Sequence, residues 1–337
     1  MTRLYELKDK IIRFHAEYEV YLAYVYKFIA AFVLFCLINS KVGFMERIAE
    51  LPVSLILALV CCLLPKGVTL LVATVLLTLH LNVLSTEVAL AAILIFVMVF
   101  FVYFRFAPKD GLLVILTPIL HAIGIPYIVP IASGLLRNVY SVMAVICGTV
   151  GYYFVDGIYQ NVVVFQSTDV KAGVDVAKAT VSVEQLLTNK EMYLTIAVFA
   201  ITAIVVYVVR KLNVDHAWKV AILVGTLVQI SGLLAGYLIF DIQGRWVPML
   251  IGCVIAGVLS LGIEFFFMDL DYTRTERVQI EDDEYYYYVK AVPKRNVTVT
   301  EKTITQFPHF SKKKNDEAVI SKRDIVTELG IDEEDLK

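Results

Sequence analysis

The chain has 337 residues, of which 59% are hydrophobic and 18% are charged, and its mean hydropathy is +0.74. This composition excludes an ordinary soluble globular protein, in which about a quarter of the residues are charged. The formal net charge of −2 says little, because the charged residues lie in short connections and at the two ends. The composition predicts a polytopic membrane protein with a polar tail, and no nucleic-acid partner is expected.

Residues 1–22 form a segment of their own with an amphipathic pattern. Leu4, Leu7, Ile11 and Ile12 recur at helical spacing among charged residues. Such a helix either lies on the membrane surface and leads into the first span, or extends that span directly. A cleaved signal peptide is not expected, because no uninterrupted apolar core precedes a small-residue cleavage site.

Nine apolar segments predict an all-α membrane domain of about eight or nine spanning or re-entrant helices. They lie at residues 23–39, 51–64, 67–84, 87–105, 112–136, 138–155, 192–210, 219–240 and 246–268. We divide them into a membrane region at 23–155 that contains two hairpins, and a three-helix membrane region at 192–268. The connection between these regions, residues 156–191, is predicted to be an external loop that contains a short polar helix around Glu184, capped by Ser182 or Thr180.

The first predicted hairpin covers residues 51–84. Its first leg is too short to cross a bilayer comfortably, and it meets the second leg at Pro65-Lys66-Gly67. Residues 45–105 and 106–155 both run through a short leg, a break, a second leg and a full span, which is typical of a diverged internal repeat. The alternative is that any hydrophobic chain can be divided into pieces that look alike.

The second predicted hairpin, residues 112–136, is the stretch most suggestive of function. It is apolar throughout but interrupted by Pro118, Gly124, Pro126 and Pro130. Irregular backbone at membrane depth needs protein or trapped water to pair its N–H and C=O groups, so broken helices gather at pores and solute sites. We therefore expect a solute or ion path at this stretch.

The basic residues of short loops predict the orientation of the chain. The connection at 210–219 is basic and is placed in the cytoplasm. If residues 112–136 enter and return on one side, then Arg105, Lys109 and Arg137 are all cytoplasmic, as are both termini. A single kinked crossing, the alternative, leaves Arg105 and Lys109 outside and conflicts with the positive-inside rule.

Three ionisable residues join the proline and glycine breaks as candidates for the path. His121 lies between Pro118 and Gly124, where loosened carbonyls can help to form a solute or proton site; alternatively it only pairs with a freed carbonyl in the bundle core. Arg137 either binds an anion or anchors the chain on the basic side. Glu264 is either a relay carboxylate or a side chain that reaches water at the end of its span.

Small residues in the last two spans predict close helix packing. Gly232 and Gly236 form a G-x-x-x-G pattern, and Gly252 and Gly257 continue in the next segment. The partner is either a helix of the same chain or a second copy in a homo-oligomer. The sequence does not decide between the two.

Residues 269–310 are predicted to be a β-rich cytoplasmic segment. Two alternating runs flank the acidic turn at 281–284 and predict a β-hairpin, and a third run at 296–305 adds a strand. The tyrosines Tyr285, Tyr286, Tyr287 and Tyr288 suit packing, docking of a cytoplasmic partner protein, or phosphorylation. Residues 311–337 are predicted to be a polar tail with a short helix.

The stretch EDDEYYYYVKAVPK, residues 281–294, resembles a motif of a family of uncharacterised bacterial polytopic membrane proteins, some of them described as permeases. The resemblance covers these fourteen residues firmly and the last two spans loosely. It implies a bacterial inner-membrane protein. It carries over no catalytic or binding residue.

No cofactor or metal site is expected. The five cysteines lie singly or as a pair within apolar segments and suit core packing. The chain has no nucleotide-binding, zinc-protease or serine-hydrolase motif, so an enzyme is not expected, and an ATP-driven transporter would need a separate ATPase subunit.

The sequence favours two functions ahead of a third, an enzyme acting on lipid, which would require polar residues converging at one interface. The first is a permease-like membrane subunit that binds or passes a small solute at the broken 112–136 hairpin. The second is a non-enzymatic membrane scaffold of an envelope or secretion assembly, which recruits partners through residues 156–191 and the tail.

Overall fold

The structure is a computed structural model that describes residues 2–166, 174–242, 244, 246–268, 275–282 and 284–293. It is built almost entirely of helices, with two strands near the carboxyl-terminal side. The predicted strand at 296–305 and the predicted helix in 311–337 lie outside the described residues.

The helices are α1 (Thr2–Glu17), α2 (Glu19–Val42), α3 (Glu46–Ala49), α4 (Leu51–Leu63), α5 (Lys66–Leu84), α6 (Thr86–Phe106), α7 (Gly111–Ile123), α8 (Ile128–Leu136), α9 (Ser141–Gln160), α10 (Val162–Gln166), α11 (Val174–Leu187), α12 (Lys190–Arg210), α13 (Ala217–Ile239) and α14 (Trp246–Phe267). A 3₁₀ turn, Pro108–Asp110, precedes α7. The strands are β1 (Glu276–Glu281) and β2 (Tyr286–Ala291).

Seven helices within the described residues are long and apolar enough to span a membrane: α2, α5, α6, α9, α12, α13 and α14. They have 19 to 24 residues each, and about 20 residues are needed to cross the hydrocarbon core. Many of their large apolar side chains face outward, for example Leu94 and Phe101 on α6. The predicted multi-pass helical character is confirmed. The remaining two predicted segments became the short α4 and the broken pair α7 and α8.

Side-chain contacts define the two ends of the helix bundle. At one end, the Lys41 ammonium lies 3.4 Å from the Asp156 carboxylate, which joins the last turns of α2 and α9. At the other end, Arg210 donates a hydrogen bond of 2.8 Å to the carbonyl of Arg137, which joins the last turn of α12 to the end of α8. We call these the Asp156 end and the Arg137 end.

The short helix α4 runs between the two ends. Asn39 donates a hydrogen bond of 2.8 Å to Ser54, so α4 begins beside the last turns of α2 at the Asp156 end. The Lys66 ammonium, just after α4, lies 5.6 Å from the ring of Tyr26, near the start of α2. Helix α4 therefore runs antiparallel to α2, although its 13 residues rise only about 20 Å.

The start and the end of the helical part of the chain lie together. Lys8 is buried, and its ammonium donates a hydrogen bond of 2.9 Å to the carbonyl of Met268, just after α14. Helix α1 is separated from α2 only by Tyr18, and its apolar side chains, such as Leu4 and Leu7, are exposed.

The hairpin of α7 and α8 joins two parts of the core. Helix α7 packs against α2 and α9, in the large cluster that also includes residues of α4, α5 and α6. Helix α8 packs against α12 and α14, and its residues belong to smaller clusters. The two predicted hairpins are unequal, because the second leg is 19 residues long in α5 and nine in α8.

Residues 156–191 are not a simple loop. Helix α9 continues to Gln160, α10 follows, and α11 packs against α6 and α9. The short helix that the sequence predicts around Glu184 is present as part of the longer α11, and apolar side chains such as Phe165 and Leu186 are buried against the bundle. Burial of these side chains favours helix over open chain.

The predicted β-hairpin forms from β1 and β2, which pair antiparallel with Ile280 opposite Tyr287. All twelve strand residues are exposed. The hairpin is tied to the turn between α12 and α13 by an ion pair between Lys290 and Asp215.

Candidate functional site

The broken stretch enters and leaves the bundle at the same end. Asp110 precedes α7 and Arg137 follows α8, and the Arg137 Nε lies 3.3 Å from the Asp110 Oδ1. Ser141, at the start of α9, donates a hydrogen bond of 2.7 Å to the other carboxylate oxygen. Asp110 therefore fastens the entry of α7 to the exit of α8 and to the next helix.

The turn at the tip of this hairpin depends on glycine. Gly124 ends α7 with φ of +88°, in the left-handed region that L side chains rarely adopt. The amides of Gly124 and Ile125 donate to the carbonyls of His121 and Leu120, which closes the last turn of α7. Pro126 follows and prevents continuation of the helix.

A polar cavity of about 490 Å³ lies over the tip. Helices α7, α9, α11, α12, α13 and α14 supply its walls, mostly from their turns nearest the Asp156 end. Its polar lining comes from His121, Tyr127, Tyr152, Tyr153, Asp156, Gln160, Gln185, Asn189, Glu191, Thr195 and Tyr237. Gly124 and Pro126 of the tip also line it.

His121 is a buried ionisable side chain of this lining. It is 8% exposed, and its Nδ1 lies 2.9 Å from the carbonyl of Thr117. A carbonyl only accepts hydrogen bonds, so Nδ1 carries the proton and Nε2 is an acceptor. Nε2 has no partner among the side chains and backbone that the structure describes. The ring is held by Tyr152, 4.7 Å away and nearly parallel.

Four tyrosines line the cavity: Tyr127, Tyr152, Tyr153 and Tyr237. The Tyr153 hydroxyl lies 3.0 Å from the Thr195 hydroxyl, which ties α9 to α12. The Tyr127 ring fills the space beside Gly252, where an added Cβ would lie 2.5 Å from the ring. Gly252 therefore allows α14 to approach the tip.

Among the residues that the structure describes, the cavity lining carries two carboxylates and no lysine or arginine. Asp156 accepts a hydrogen bond of 2.6 Å from Gln160 and pairs with Lys41. Glu191 lies in the first turn of α12, where the helix dipole favours a negative charge. The lining thus offers negative charge, tyrosine rings and hydrogen-bonding groups, which suit a cationic or neutral polar solute better than an anion.

The structure divides the sequence-predicted candidates into two groups. His121, Gly124 and Pro126 line the cavity. Pro118 instead lines a nearly apolar cavity of about 80 Å³ between α2, α5, α6, α7 and α9. Arg137 lies at the other end of the bundle, paired with Asp110. Glu264 lies on α14 one turn before Met268, which places it near the same end.

The predicted packing glycines contact helices of the same chain. A Cβ on Gly232 would lie 3.1 Å from Val198, and one on Gly236 would lie 2.0 Å from Leu194, both on α12. Gly257 faces Thr226 of α13 at 3.1 Å. These close contacts explain the small residues without a second copy.

The tyrosines that line the cavity were not among the sequence candidates. Tyr152 and Tyr153 are adjacent and follow the sequence Gly-Thr-Val-Gly, while Tyr127 follows the Gly124 break directly. A tyrosine near the end of a span is usually taken as an interfacial anchor. Their positions in the sequence could have identified them. Tyr152 and Tyr153 lie one helical turn before Asp156, Tyr127 lies just after the Gly124 break, and both places are expected at one level of the bundle.

The tyrosine run Tyr285–Tyr288 lies apart from the cavity on the exposed β-hairpin. Within the described residues, no group of three or more His, Cys, Asp or Glu side chains comes together as a metal site would require.

Comparison of the chain with protein-family models, with curated proteins and with solved structures finds no match. Function is therefore argued below from the geometry of the cavity and of the hairpin beneath it.

Proposed function

We propose that this protein is a permease-like membrane subunit that binds a small polar solute in the cavity above the α7 and α8 hairpin. The observation that carries the proposal is His121, whose Nε2 is buried at the cavity floor without a partner in the described protein. Buried acceptors at membrane depth are costly and are retained where they bind something.

The orientation follows from the basic residues. Arg105, Lys109, Arg137, Arg210 and Lys211 all lie close to the Arg137 end of the bundle. By the positive-inside rule this end is cytoplasmic in a bacterial inner membrane. The hairpin is then re-entrant from the cytoplasm, and the cavity opens on the outer side.

The solute that best suits this cavity is a small cation with a hydrogen-bonding group. Tyrosine rings attract ammonium groups through their faces, and Glu191 and Asp156 supply negative charge. His121 Nε2 accepts a hydrogen bond from a solute hydroxyl or amine. Within the described part of the lining, the lack of lysine and arginine disfavours an anionic solute.

The test measures solute binding to the purified protein in detergent, by calorimetry, with choline and its uncharged carbon isostere dimethylbutanol. Choline is expected to bind more tightly, and binding is expected to weaken in Glu191→Gln and His121→Phe. The phenyl ring keeps the packing against Tyr152 and removes both nitrogens. Tyr193→Phe, an exposed position on α12, is the control.

Two results would contradict parts of this proposal. Equal binding of choline and dimethylbutanol would exclude a cation site. If small ammonium, sugar and carboxylate solutes all fail to bind, or bind equally well to His121→Phe, the cavity is not a solute site and the permease proposal is wrong.

The second candidate is a membrane scaffold that docks a cytoplasmic partner protein, such as a separate ATPase subunit. The observation that favours it is the β-hairpin, on which Tyr285–Tyr288, Val278 and Ile280 are all exposed. Two-stranded hairpins are only marginally stable alone and gain stability from a covering surface. Replacing Tyr286 and Tyr288 with serine should then abolish co-purification of a partner while solute binding stays intact.

A further inference from the structure

Two polar side chains between α12 and α13 lack protein partners inside the bundle. Thr202 and Gln229 are each 0% exposed. The Thr202 Oγ1 and both side-chain polar atoms of Gln229 have no hydrogen-bond partner in the part of the chain that the structure describes. Neither residue lines the cavity above the hairpin.

The packing register places these two side chains at one level. Helices α12 and α13 are antiparallel. Nearer the Asp156 end, Leu194 lies against Gly236 and Val198 lies against Gly232. Nearer the Arg137 end, Val206 lies against Gly225. Thr202 falls between Val198 and Val206 on α12, and Gln229 falls between Gly225 and Gly232 on α13. The two side chains therefore occupy the same turn of the interface.

Apolar layers separate this level from both ends of the bundle. Toward the cavity lies the cluster of Leu194, Val198, Leu233, Tyr237, Met249 and Cys253, of which Leu233, Tyr237 and Met249 also line the cavity. Toward the Arg137 end lies the cluster of Ile131, Leu135, Val206, Ala221 and Ile222. Gln229 shares a face of α13 with Leu233, one turn above it, and with Ile222, two turns below it.

We propose that Thr202 and Gln229 form an occluded polar site midway between the cavity and the Arg137 end, on the route that a solute takes through the bundle. The inference rests on the proposed permease function and adds a second binding position to it. The Leu233 layer closes the site toward the cavity, and the Ile131 and Val206 layer closes it toward the Arg137 end.

The chemistry of the site defines what it binds. A glutamine amide supplies one carbonyl acceptor and two donors, and a threonine hydroxyl both donates and accepts. Neither group is charged. The site therefore takes water or the neutral hydrogen-bonding part of a solute.

The first test asks whether water reaches the site. Gln229→Cys is placed in a protein whose five native cysteines have been replaced, reconstituted in vesicles, and treated with methyl methanethiosulfonate, a small uncharged reagent that reacts with the thiolate, which forms only where water reaches the thiol. Leu227→Cys, on the exposed face of α13, is the matched control. We expect reaction at position 229 and none at position 227, with Leu233→Ala increasing the rate at 229 because it thins the layer toward the cavity.

The second test separates binding from passage. Gln229→Leu and Thr202→Val are expected to leave choline binding in the cavity unchanged and to lower choline uptake into vesicles about tenfold, the factor that one neutral hydrogen bond is worth. Thr226→Val is the control, because that hydroxyl on α13 is already bonded to the Ile222 carbonyl at 2.8 Å.

Two outcomes would overturn the inference. One is that Gln229→Cys stays as unreactive as Leu227→Cys even with Leu233→Ala, although the protein remains monodisperse. The other is uptake in Gln229→Leu equal to that in Thr226→Val. Absence of choline uptake in the unmodified protein would count against the proposed function instead. The thiol reaction would still test whether water reaches position 229.

Discussion

The Arg137 guanidinium and the Asp110 carboxylate approach to 3.3 Å across the two ends of the broken apolar stretch. The Asp110 side chain is mostly buried, while Arg137 is nearly half exposed. The pair closes the base of the α7 and α8 hairpin and holds its tip beneath the cavity.

Replacing Arg137 with glutamine should destabilise the protein by about 2 kcal/mol, because a largely buried carboxylate loses its charged hydrogen-bond donor. The midpoint of thermal unfolding in detergent measures the change. Asp110→Asn in the same protein should recover part of the loss, since no uncompensated charge then remains. Equal stability of Arg137→Gln and of the unmodified protein would show that Ser141 alone satisfies Asp110.

Cysteine labelling from the two sides of the membrane tests the re-entrant hairpin. In a protein without native cysteines, cysteines at positions 110 and 137 should be labelled from the cytoplasmic side only, and one at position 86 from the opposite side. A cysteine at 124 should be reached from the side of the cavity. Labelling of 110 and 137 from opposite sides would make α7 and α8 a single kinked crossing.

Gly124→Ala should destabilise the protein by about 1 kcal/mol, because alanine resists the positive φ of this turn. Gly262→Ala is the matched control, since both positions have open space where a Cβ would be added, but Gly262 is helical. Alanine at 262 should stabilise the protein slightly through its helix propensity. The difference in unfolding midpoint between the two variants isolates the backbone conformation. A loss at 262 as large as that at 124 would contradict this explanation.

Gly252→Ala should weaken solute binding, because the new methyl group meets the Tyr127 ring at 2.5 Å and displaces it at the cavity floor. Adding Tyr127→Leu should relieve the steric clash and restore stability without restoring binding. Calorimetric titration with choline and the unfolding midpoint separate the two effects. Unchanged binding in Gly252→Ala would show that the Tyr127 ring does not contribute to the site.

The anchoring of the β-hairpin should depend on pH. The hydrogen bond from Lys290 lowers the pKa of Asp215 below its ordinary value of 3.8. A carboxyl group with a lowered pKa contributes stability above its ordinary pKa and loses that contribution as pH falls through the lowered one. The protection factors of the β2 amides, which correct for the intrinsic pH dependence of exchange, should therefore be high near neutral pH and fall once the pH drops below 3.8. Asp215→Asn should remove the dependence, whereas salt should only reduce it.

The sequence predicted the local elements well. Three of these elements follow from residues whose backbone preferences act within a few positions. They are the break at Gly124 and Pro126, the turn at Pro65, and the turn of the β-hairpin just before Tyr285. The sequence predicted a short helix around Glu184 but not the full length of α11, because α11 is held by packing against α6 and α9 rather than by its own propensity.

The candidate site was predicted only in part. His121 was identified because an ionisable residue at membrane depth stands out in an apolar sequence. Thr202 and Gln229 did not stand out, since single uncharged polar residues are common in spans and become costly only when no partner faces them. The register of α12 and α13 decides that, and it depends on which glycines meet which valines.

The sequence by itself determined that this protein is a multi-pass helical membrane protein with a broken stretch at 112–136, because hydropathy and backbone preference are local properties of the chain. Only the tertiary structure decided that Asp110 meets Arg137, and that His121 lies under a cavity with Tyr153 and Glu191 in its walls. Those relationships join residues far apart in the chain, and they are set by the mutual packing of helix faces, which no single segment encodes.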